Sequence, residues 1–174
     1  MSRAALRALS RKPPTYVEIA STFKALKGQR NDRAAAILAS ALVEDALKDA
    51  ILARLSPLSN DDHTRLFEGE GPLSTFSAAI RVGFALSIFG VSTKADLNCM
   101  RDIRNAFAHA GISLKFTTRE VTVACRTLQN KNSSKHFRKN ASPRLRYLET
   151  AEQIALDLLG EALDPKRPGR PSLP

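Results

Sequence analysis

The chain has 174 residues, of which 27 are Lys or Arg and 17 are Asp or Glu, and its formal net charge is +10. This length suits one domain with a substantial buried core. Two cysteines are too few for a disulfide framework or a zinc cluster, and no apolar run approaches the roughly 20 residues that span a bilayer. The composition therefore argues against a disulfide-stapled mini-protein, a membrane protein and a disordered chain. We expect a cytoplasmic protein that uses no metal and no other cofactor.

The first two thirds of the chain are predicted to be helical, because apolar residues recur at helical spacing between capping residues. A short helical turn from Ser59 toward Phe67 and a tight turn at Glu68–Pro72 interrupt the longer helices. The first two longer helices are Tyr16–Lys27, which begins with a Thr15–Glu18 capping box, and Arg33–Leu55, which is capped by Asp32. The third is Thr75–Phe89, with Ser74 as its N-terminal cap and Gly90 as its C-terminal cap. The fourth is Lys94–His109, which has a cap-like Thr93–Asp96 pattern at its start and ends at Gly111.

The remaining third continues in the same way. Leu114–Phe116 is predicted to be extended, a Thr117–Glu120 capping box begins a helix over Thr118–Leu128, and a last helix covers Arg144–Leu163. No strand pattern is long enough for a sheet, so the predicted class is an all-α bundle of about five to seven helices. We expect a basic N-terminal arm at 1–14, one helical domain at 15–163 with a basic loop at 129–143, and a disordered, basic, Pro-rich tail at 164–174.

The positive charge is concentrated in three segments. Residues 1–17, 121–148 and 165–174 contain no acid and together carry +14, which leaves −4 for the rest of the chain. Clustered, mobile cations attract polyphosphate, although they also serve as a solubilising fringe. If these segments bind RNA or DNA, the candidate contacts are three residues of the loop and three of the tail: Lys135, Arg138, Lys139, Lys166, Arg167 and Arg170.

One segment carries residues suited to catalysis, the run from Arg104 to His109 at a predicted helix end. Arg is a permanent cation that suits phosphate, and His can act as an acid or base near neutral pH. With an RNA 2′-hydroxyl as the nucleophile, this pair could cleave RNA without a metal, and Asn105 could orient the phosphate or the His. Five positions place the two side chains about 140° apart on a regular helix, so a frayed last turn or a dimer partner is needed to bring them together. The alternative is that these residues cap the helix.

Two resemblances rest on these residues. Arg104-Asn-Ala-Phe-Ala-His109 resembles the R-N-x-x-x-H form of the motif of HEPN domains. The resemblance implies a helical bundle that dimerises, with paired Arg and His residues lining a cleft. Many HEPN members are metal-independent RNases and others are non-catalytic. Gly111 stands where some members have a Tyr two residues after the His.

A longer stretch resembles the mannitol operon repressor (MltR) family. It runs from about Asp32 to Leu128 and includes Leu66-Phe-Glu-Gly-Glu-Gly-Pro-Leu73, Phe84-Ala-Leu86, the Arg104–His109 segment and Phe116-Thr117. This resemblance implies an all-helical, HEPN-like regulatory protein linked to transcription, which acts through protein partners. Nothing in the sequence points to mannitol.

Three functions follow from these features. The first is a non-enzymatic regulator, dimeric, with a protein partner and with basic segments that touch RNA or DNA. The second is an RNase that uses Arg104, Asn105 and His109. The third gives these residues a purely structural role. The longer resemblance favours the regulator. Glu44 and Asp45 are candidate ion-pair partners for Arg33 or Arg104.

Overall fold

The computed structural model of the chain describes residues 13–129 and 141–164. The described residues form seven helices and the turns between them, which confirms the predicted all-α class. In chain order the helices are α1 (Tyr16–Gly28), α2 (Asp32–Leu52), α3 (Asn60–Phe67), α4 (Phe76–Ala85), α5 (Val91–His109), α6 (Arg119–Thr127) and α7 (Pro143–Leu163). None of these helices combines the length and apolarity needed to cross a membrane.

Two helices of 21 residues, α2 and α7, pack along each other at the centre of the bundle. α2 also packs against α1, α4 and α5, which explains why its sequence is apolar on nearly every side. The buried hydroxyls of Ser40 and Tyr147 lie 2.6 Å apart, and the Tyr147 hydroxyl donates to the carbonyl of Ala36 at 3.0 Å. Because buried hydroxyls need partners, these contacts fix the register of the two helices.

The predicted capping box of α1 is confirmed, but the predicted cap of α2 is wrong. Thr15 and Glu18 bond each other's backbone N–H groups at 2.7 and 3.2 Å. The N-cap of α2 is Asn31, whose side chain accepts from Ala34 N at 3.0 Å. Asp32 is the first helical residue, and tertiary contacts described below use its carboxylate.

α2 also ends at Leu52 and not at Leu55. The N–H groups of Arg54 and Leu55 bond carbonyls three residues back, so the chain tightens into a turn before Pro57. The short helix α3 begins after Ser59, as the sequence predicted, and the Ser59 side chain accepts from Asp62 N.

The predicted tight turn at Glu68–Pro72 follows α3, and its glycines shape the backbone. Gly69 has a φ of +59°, which favours glycine. A Cβ on Gly71 would lie 2.5 Å from the carbonyl oxygen of Arg65. Both glycines are therefore required by the turn itself.

α4 is displaced from its predicted bounds at both ends. Its N-cap is Thr75 and not Ser74, and it ends at Ala85, four residues before the predicted end at Phe89. The Phe89 ring lies so close to Gly83 that a Cβ there would be 2.8 Å from a ring carbon. Packing of Phe89 onto the helix therefore requires the chain to leave helical geometry before that residue.

α5 begins at Val91, three residues before the predicted start. Gly90 is its N-cap position and does not close α4 as predicted. Thr93 and Asp96 are buried within the first turns of α5 and do not cap it, and Asp96 accepts from Gln129 N at 2.9 Å. The predicted cap is wrong because this carboxylate is used by a residue 33 positions away.

The segment between α5 and α6 is irregular, and its residues 114–116 are not part of a strand. Phe116 is buried between the rings of Phe107 and Tyr147, with centroids 5.0 and 5.3 Å away. Thr118, and not Thr117, is the N-cap position of α6, and its hydroxyl accepts from Lys115 N at 3.2 Å instead of capping the helix. The predicted capping box is therefore wrong, and Phe116 anchors this segment beside α5 and α7.

Candidate functional site

The candidate catalytic residues lie in the last two turns of α5. Arg104 and Asn105 are half-buried, and Arg104 Nη1 donates to Asn105 Oδ1 at 3.1 Å. His109 is exposed and is the last helical residue. Ala110 N donates to Ala106 O at 3.0 Å, so the last turn is closed and not frayed. The separation of about 140° between the Arg104 and His109 positions therefore persists within one chain.

Arg104 and His109 differ in their surroundings. Burial raises the pKa of Tyr147, a residue of α7, well above its usual range. The positive charge of Arg104 acts against this rise, so Arg104 lies on the side of α5 that faces Tyr147. Within residues 13–129 and 141–164, the side chain of His109 has no hydrogen-bond partner. One side chain thus approaches the α7 side of the bundle, while the other is available to a ligand or to a second chain.

The expected ion pairs of Glu44 and Asp45 with Arg33 or Arg104 do not form in the described part of the chain. Glu44 pairs with Lys48 at 2.8 Å, one turn along the same helix. Arg33 Nη2 donates to the carbonyl oxygens of Ala110 and Ile112 at 2.6 and 3.1 Å. Arg33 therefore ties the C-terminal end of α5 to the N-terminal end of α2.

A second set of contacts holds the same region together. The carboxylate of Asp32 accepts from Arg144 Nε and from Phe116 N, both at 3.0 Å. Arg144 also donates to the carbonyls of Lys27 and Leu26 at 3.1 and 2.7 Å, which satisfies the end of α1. Asp32 and Arg144 thus join the N-terminal end of α2, the end of α1, the start of α7 and the segment before α6.

These contacts frame an open cleft of about 650 Å³ between residues 30–33 and residues 111–115. Its charged side chains are Arg30, Arg33, Lys115 and Asp32. No sequence pattern indicates this cleft, because its two sides are about 80 positions apart in the chain. Only the packing of α5 against α2 brings them together.

The surface of α2 carries an apolar stripe of partly exposed residues: Ala34, Ile37, Leu38 and Ala41. Leu38 is 48% exposed, although its helix is the most extensively packed in the bundle. None of the four belongs to the hydrophobic core cluster or to the residues packed against it. Four apolar residues at helical spacing on one solvent-facing side of α2 form a candidate protein-contact surface.

The two cysteines are shielded from solvent to different degrees, with Cys125 buried and Cys99 partly buried. Burial raises the pKa of Cys125 to about 12, and it also raises the pKa of Cys99, whose Sγ donates to Ala124 O at 3.3 Å. Neither thiol is a thiolate at neutral pH. No group of three or more His, Cys, Asp or Glu side chains within the described ranges is arranged to hold a metal ion.

The six candidate nucleic-acid contacts lie outside the described residues. Lys135, Arg138 and Lys139 belong to residues 130–140, and Lys166, Arg167 and Arg170 belong to residues 165–174. Most of the predicted N-terminal arm, residues 1–12, lies outside them as well.

Comparison with known proteins gives a fold relationship. No protein-family model matches the chain, and no curated protein matches its sequence significantly. The structure is similar to a chain of the X-ray structure of the MtlR–HPr complex from Escherichia coli, with a TM-score of 0.57 and 18% sequence identity. The match covers 83% of this chain and 96% of that chain. This protein therefore has a helical fold like that of a chain in the MtlR–HPr complex, which agrees with the fold that the MltR resemblance implied.

Proposed function

We propose that this protein is a regulatory protein of the MltR type that acts by binding a protein partner. The observation that carries the proposal is the fold shared with a chain crystallised in a complex with a protein partner, over 96% of that chain. The sequence resemblance from about Asp32 to Leu128 supports the same assignment, because it covers α2 to α6. The partner that this comparison suggests is a protein of the HPr type.

The apolar stripe on α2 is the surface that we assign to this contact. Its four residues are apolar and partly exposed, and they project from a helix whose other sides are packed. Burying such a stripe contributes about 25 cal/mol for each Å² of apolar surface removed from water. The core helix supplies a rigid base, so little conformational entropy is lost on binding.

The experiment measures binding by calorimetry, with HPr from the organism that encodes this chain. The test variant is Leu38→Glu, which places a charge in the stripe. The control is Val123→Glu, because Val123 is 54% exposed on α6 among polar neighbours. We expect Leu38→Glu to weaken binding at least about tenfold while the control binds like the native chain. Equal binding by both variants would remove the stripe from the proposal, and no binding by the native chain would remove the HPr-type partner.

The basic segments and the dimer belong to the same proposal. In the cytoplasm, residues 1–14, 129–143 and 164–174 supply non-specific contacts to RNA or DNA whose strength falls steeply with salt. Lys135, Arg138 and Lys139 act in the loop, and the cations of the tail act with them. A homodimer doubles the number of such segments for each complex. Gel filtration with light scattering tests the dimer, and binding to labelled nucleic acid at two salt concentrations tests the contacts.

The RNase function is the second candidate. It is favoured by the exposed His109, by the half-buried Arg104 and by the Asn105 amide that orients the guanidinium. Because the two catalytic positions diverge by about 140° on α5, the active centre would need Arg104 of one copy and His109 of another. Cleavage would then follow the RNA 2′-hydroxyl route without a metal.

This second candidate is tested with labelled RNA in EDTA. Native protein should cleave the RNA, and the Arg104→Ala and His109→Ala variants should not. Mixing the two inactive variants should restore about a quarter of the native activity, because half of the dimers formed would be mixed and each mixed dimer would hold one intact site. No cleavage by native protein would exclude the RNase function and leave the regulator.

A further inference from the structure

We propose that the cleft between residues 30–33 and 111–115 binds a small phosphate ester of about mononucleotide size. This proposal does not rest on the partner-binding function, although Arg33 of the cleft adjoins Ala34 of the apolar stripe. The observations that carry it are the cleft's volume, its excess of positive charge and its supply of unpaired donors.

The charge of the cleft is strongly one-sided. Arg30, Arg33 and Lys115 contribute three cations, and Asp32 contributes the one acid among the lining residues. That acid is already paired with Arg144 at 3.0 Å and accepts a second bond from Phe116 N. The three cations are therefore left without a counter-charge from the cleft wall, and an anionic ligand would supply it.

Arg33 is held in a fixed position and retains donors. Its Nη2 group donates to the carbonyls of Ala110 and Ile112, which immobilises the guanidinium at the wall of the cleft. A guanidinium has five N–H donors, so the Nη1 and Nε donors of Arg33 stay free in the described structure. A planar guanidinium with unused donors on one edge matches the geometry of phosphate oxygens.

The other wall adds further donors. The backbone N–H groups of residues 111–114 have no hydrogen-bond partner in the part of the chain that the structure describes. The Ser113 hydroxyl is also without one there. Backbone N–H groups and hydroxyls without a protein partner are donors that a phosphate can use.

The size and the apolar part of the cleft indicate a small ligand. A volume of about 650 Å³ lies within the range of small-molecule sites, roughly 300–1,000 Å³. Ile112 is 71% exposed beside the donors and offers an apolar surface to a base or another ring. A phosphate ester with an attached ring would use both features.

The test is calorimetry on the full chain with pyrophosphate, ribose 5-phosphate and AMP, together with a short single-stranded RNA. The test variant is the double substitution Arg30→Ala and Lys115→Ala, whose side chains are exposed and make no contact that the described fold needs. The control is Lys24→Ala with Arg81→Ala, which removes the same charge from exposed sites outside the cleft. Arg33→Lys keeps the positive charge but removes the planar guanidinium, which can bond two phosphate oxygens at once.

We expect AMP to bind the native chain and the control alike, more tightly than ribose 5-phosphate, and to bind the cleft variant at least about tenfold more weakly. Arg33→Lys should weaken binding while thermal unfolding shows that the fold is intact. Equal weakening by the cleft variant and the control would overturn the proposal, since binding would then follow net charge alone. RNA binding that depends on the cleft, without binding of any of the three small probes in the millimolar range, would also overturn it and assign the cleft to a nucleic-acid backbone.

Discussion

Arg144 and Arg104 are both partly buried arginines, yet they have opposite surroundings. Arg144 bonds the Asp32 carboxylate and two carbonyls at the end of α1, so it joins three helices. Arg104 bonds only the side chain of its neighbour Asn105 among the described residues. The N–H donors of Arg144 are bonded to groups of the folded chain, whereas Arg104 keeps N–H donors that are available to a ligand or a second chain.

This difference separates residues that hold the fold from residues that are available for function. A partly buried charge is stable when protein groups satisfy it, and removal of one member of such a set is costly. A partly buried charge without protein partners adds no stability to the fold, and it remains able to bind a ligand that satisfies it. Arg104 is of the second kind, because within the described ranges it bonds only its neighbour Asn105.

The largest effect is expected for Arg144→Ala. It leaves the carboxylate of Asp32 without its cation, and it leaves two carbonyls of α1 without a donor. We expect the free energy of unfolding to fall by about 3 kcal/mol, because the pair is about 20% exposed and only partly screened. Urea unfolding measures this change.

The matched variant for that experiment is Arg104→Ala, for which we expect a loss of less than about 1 kcal/mol. If Arg104→Ala lowered the free energy of unfolding as much as Arg144→Ala does, the two arginines would not differ in their contribution to the fold. The Arg104–His109 segment would then have a purely structural role.

A smaller effect is expected for Tyr147→Phe, which tests the hydroxyl at the α2–α7 interface. The change removes a buried hydroxyl that bonds Ser40 and the Ala36 carbonyl, and it leaves the Ser40 hydroxyl buried without that partner. We expect a loss of about 1.5 kcal/mol in thermal or urea unfolding. Tyr16→Phe is the control, because Tyr16 is 46% exposed, and it should change stability by less than about 0.5 kcal/mol.

The third prediction concerns Asp49, an acid on α2 whose negative charge is disfavoured by burial. Burial, with a contribution from the charge of Asp45, raises the pKa of Asp49 to about 6. The folded state therefore disfavours the charged form, and this group costs stability above about pH 6. As the pH falls toward the unfolded value near 4, the cost disappears.

Asp49→Asn should therefore stabilise the protein by about 1–2 kcal/mol at pH 7.5 and by almost nothing at pH 4. Urea unfolding at the two pH values measures the difference. A stabilisation that is equal at both values would show that the charge of Asp49 is not its cause.

The smallest effect on stability is expected for His109→Ala. The side chain is exposed and has no hydrogen-bond partner in the described ranges, so the free energy of unfolding should change by less than about 0.5 kcal/mol. Because this variant should stay folded, a loss of RNA cleavage in His109→Ala could not be attributed to unfolding. If His109→Ala destabilised the protein as much as Tyr147→Phe, His109 would belong with the structural residues.

The sequence predicted the number and type of the elements and missed several of their ends. The Thr15–Glu18 box was predicted correctly because capping needs only residues three positions apart. Asp32 and Asp96 were wrongly assigned as caps because residues far away in the chain use their carboxylates. A local pattern cannot distinguish a capping acid from an acid that serves a tertiary contact.

The candidate site also has features that the sequence predicted and features that it did not. The Arg104–His109 motif is recognisable because its residues are close together in the sequence, and the divergence of about 140° follows from helix geometry alone. The closed last turn of α5, which keeps the two side chains apart, depends on the structure. The cleft and the apolar stripe on α2 were not predicted, since neither has a sequence pattern that separates it from core or loop.

The sequence by itself determined the helical class, the capping box of α1 and the clustering of positive charge, because these depend on composition and on spacing within one or two turns. The tertiary structure alone decided which charges are satisfied. Asp32, Arg33 and Arg144 find partners more than 70 positions away, and those partners exist only once α5 and α7 pack against α2. Which polar groups remain free to act is therefore a property of the packed bundle, since hydrogen bonds reach only about 3 Å and sequence distance does not limit them.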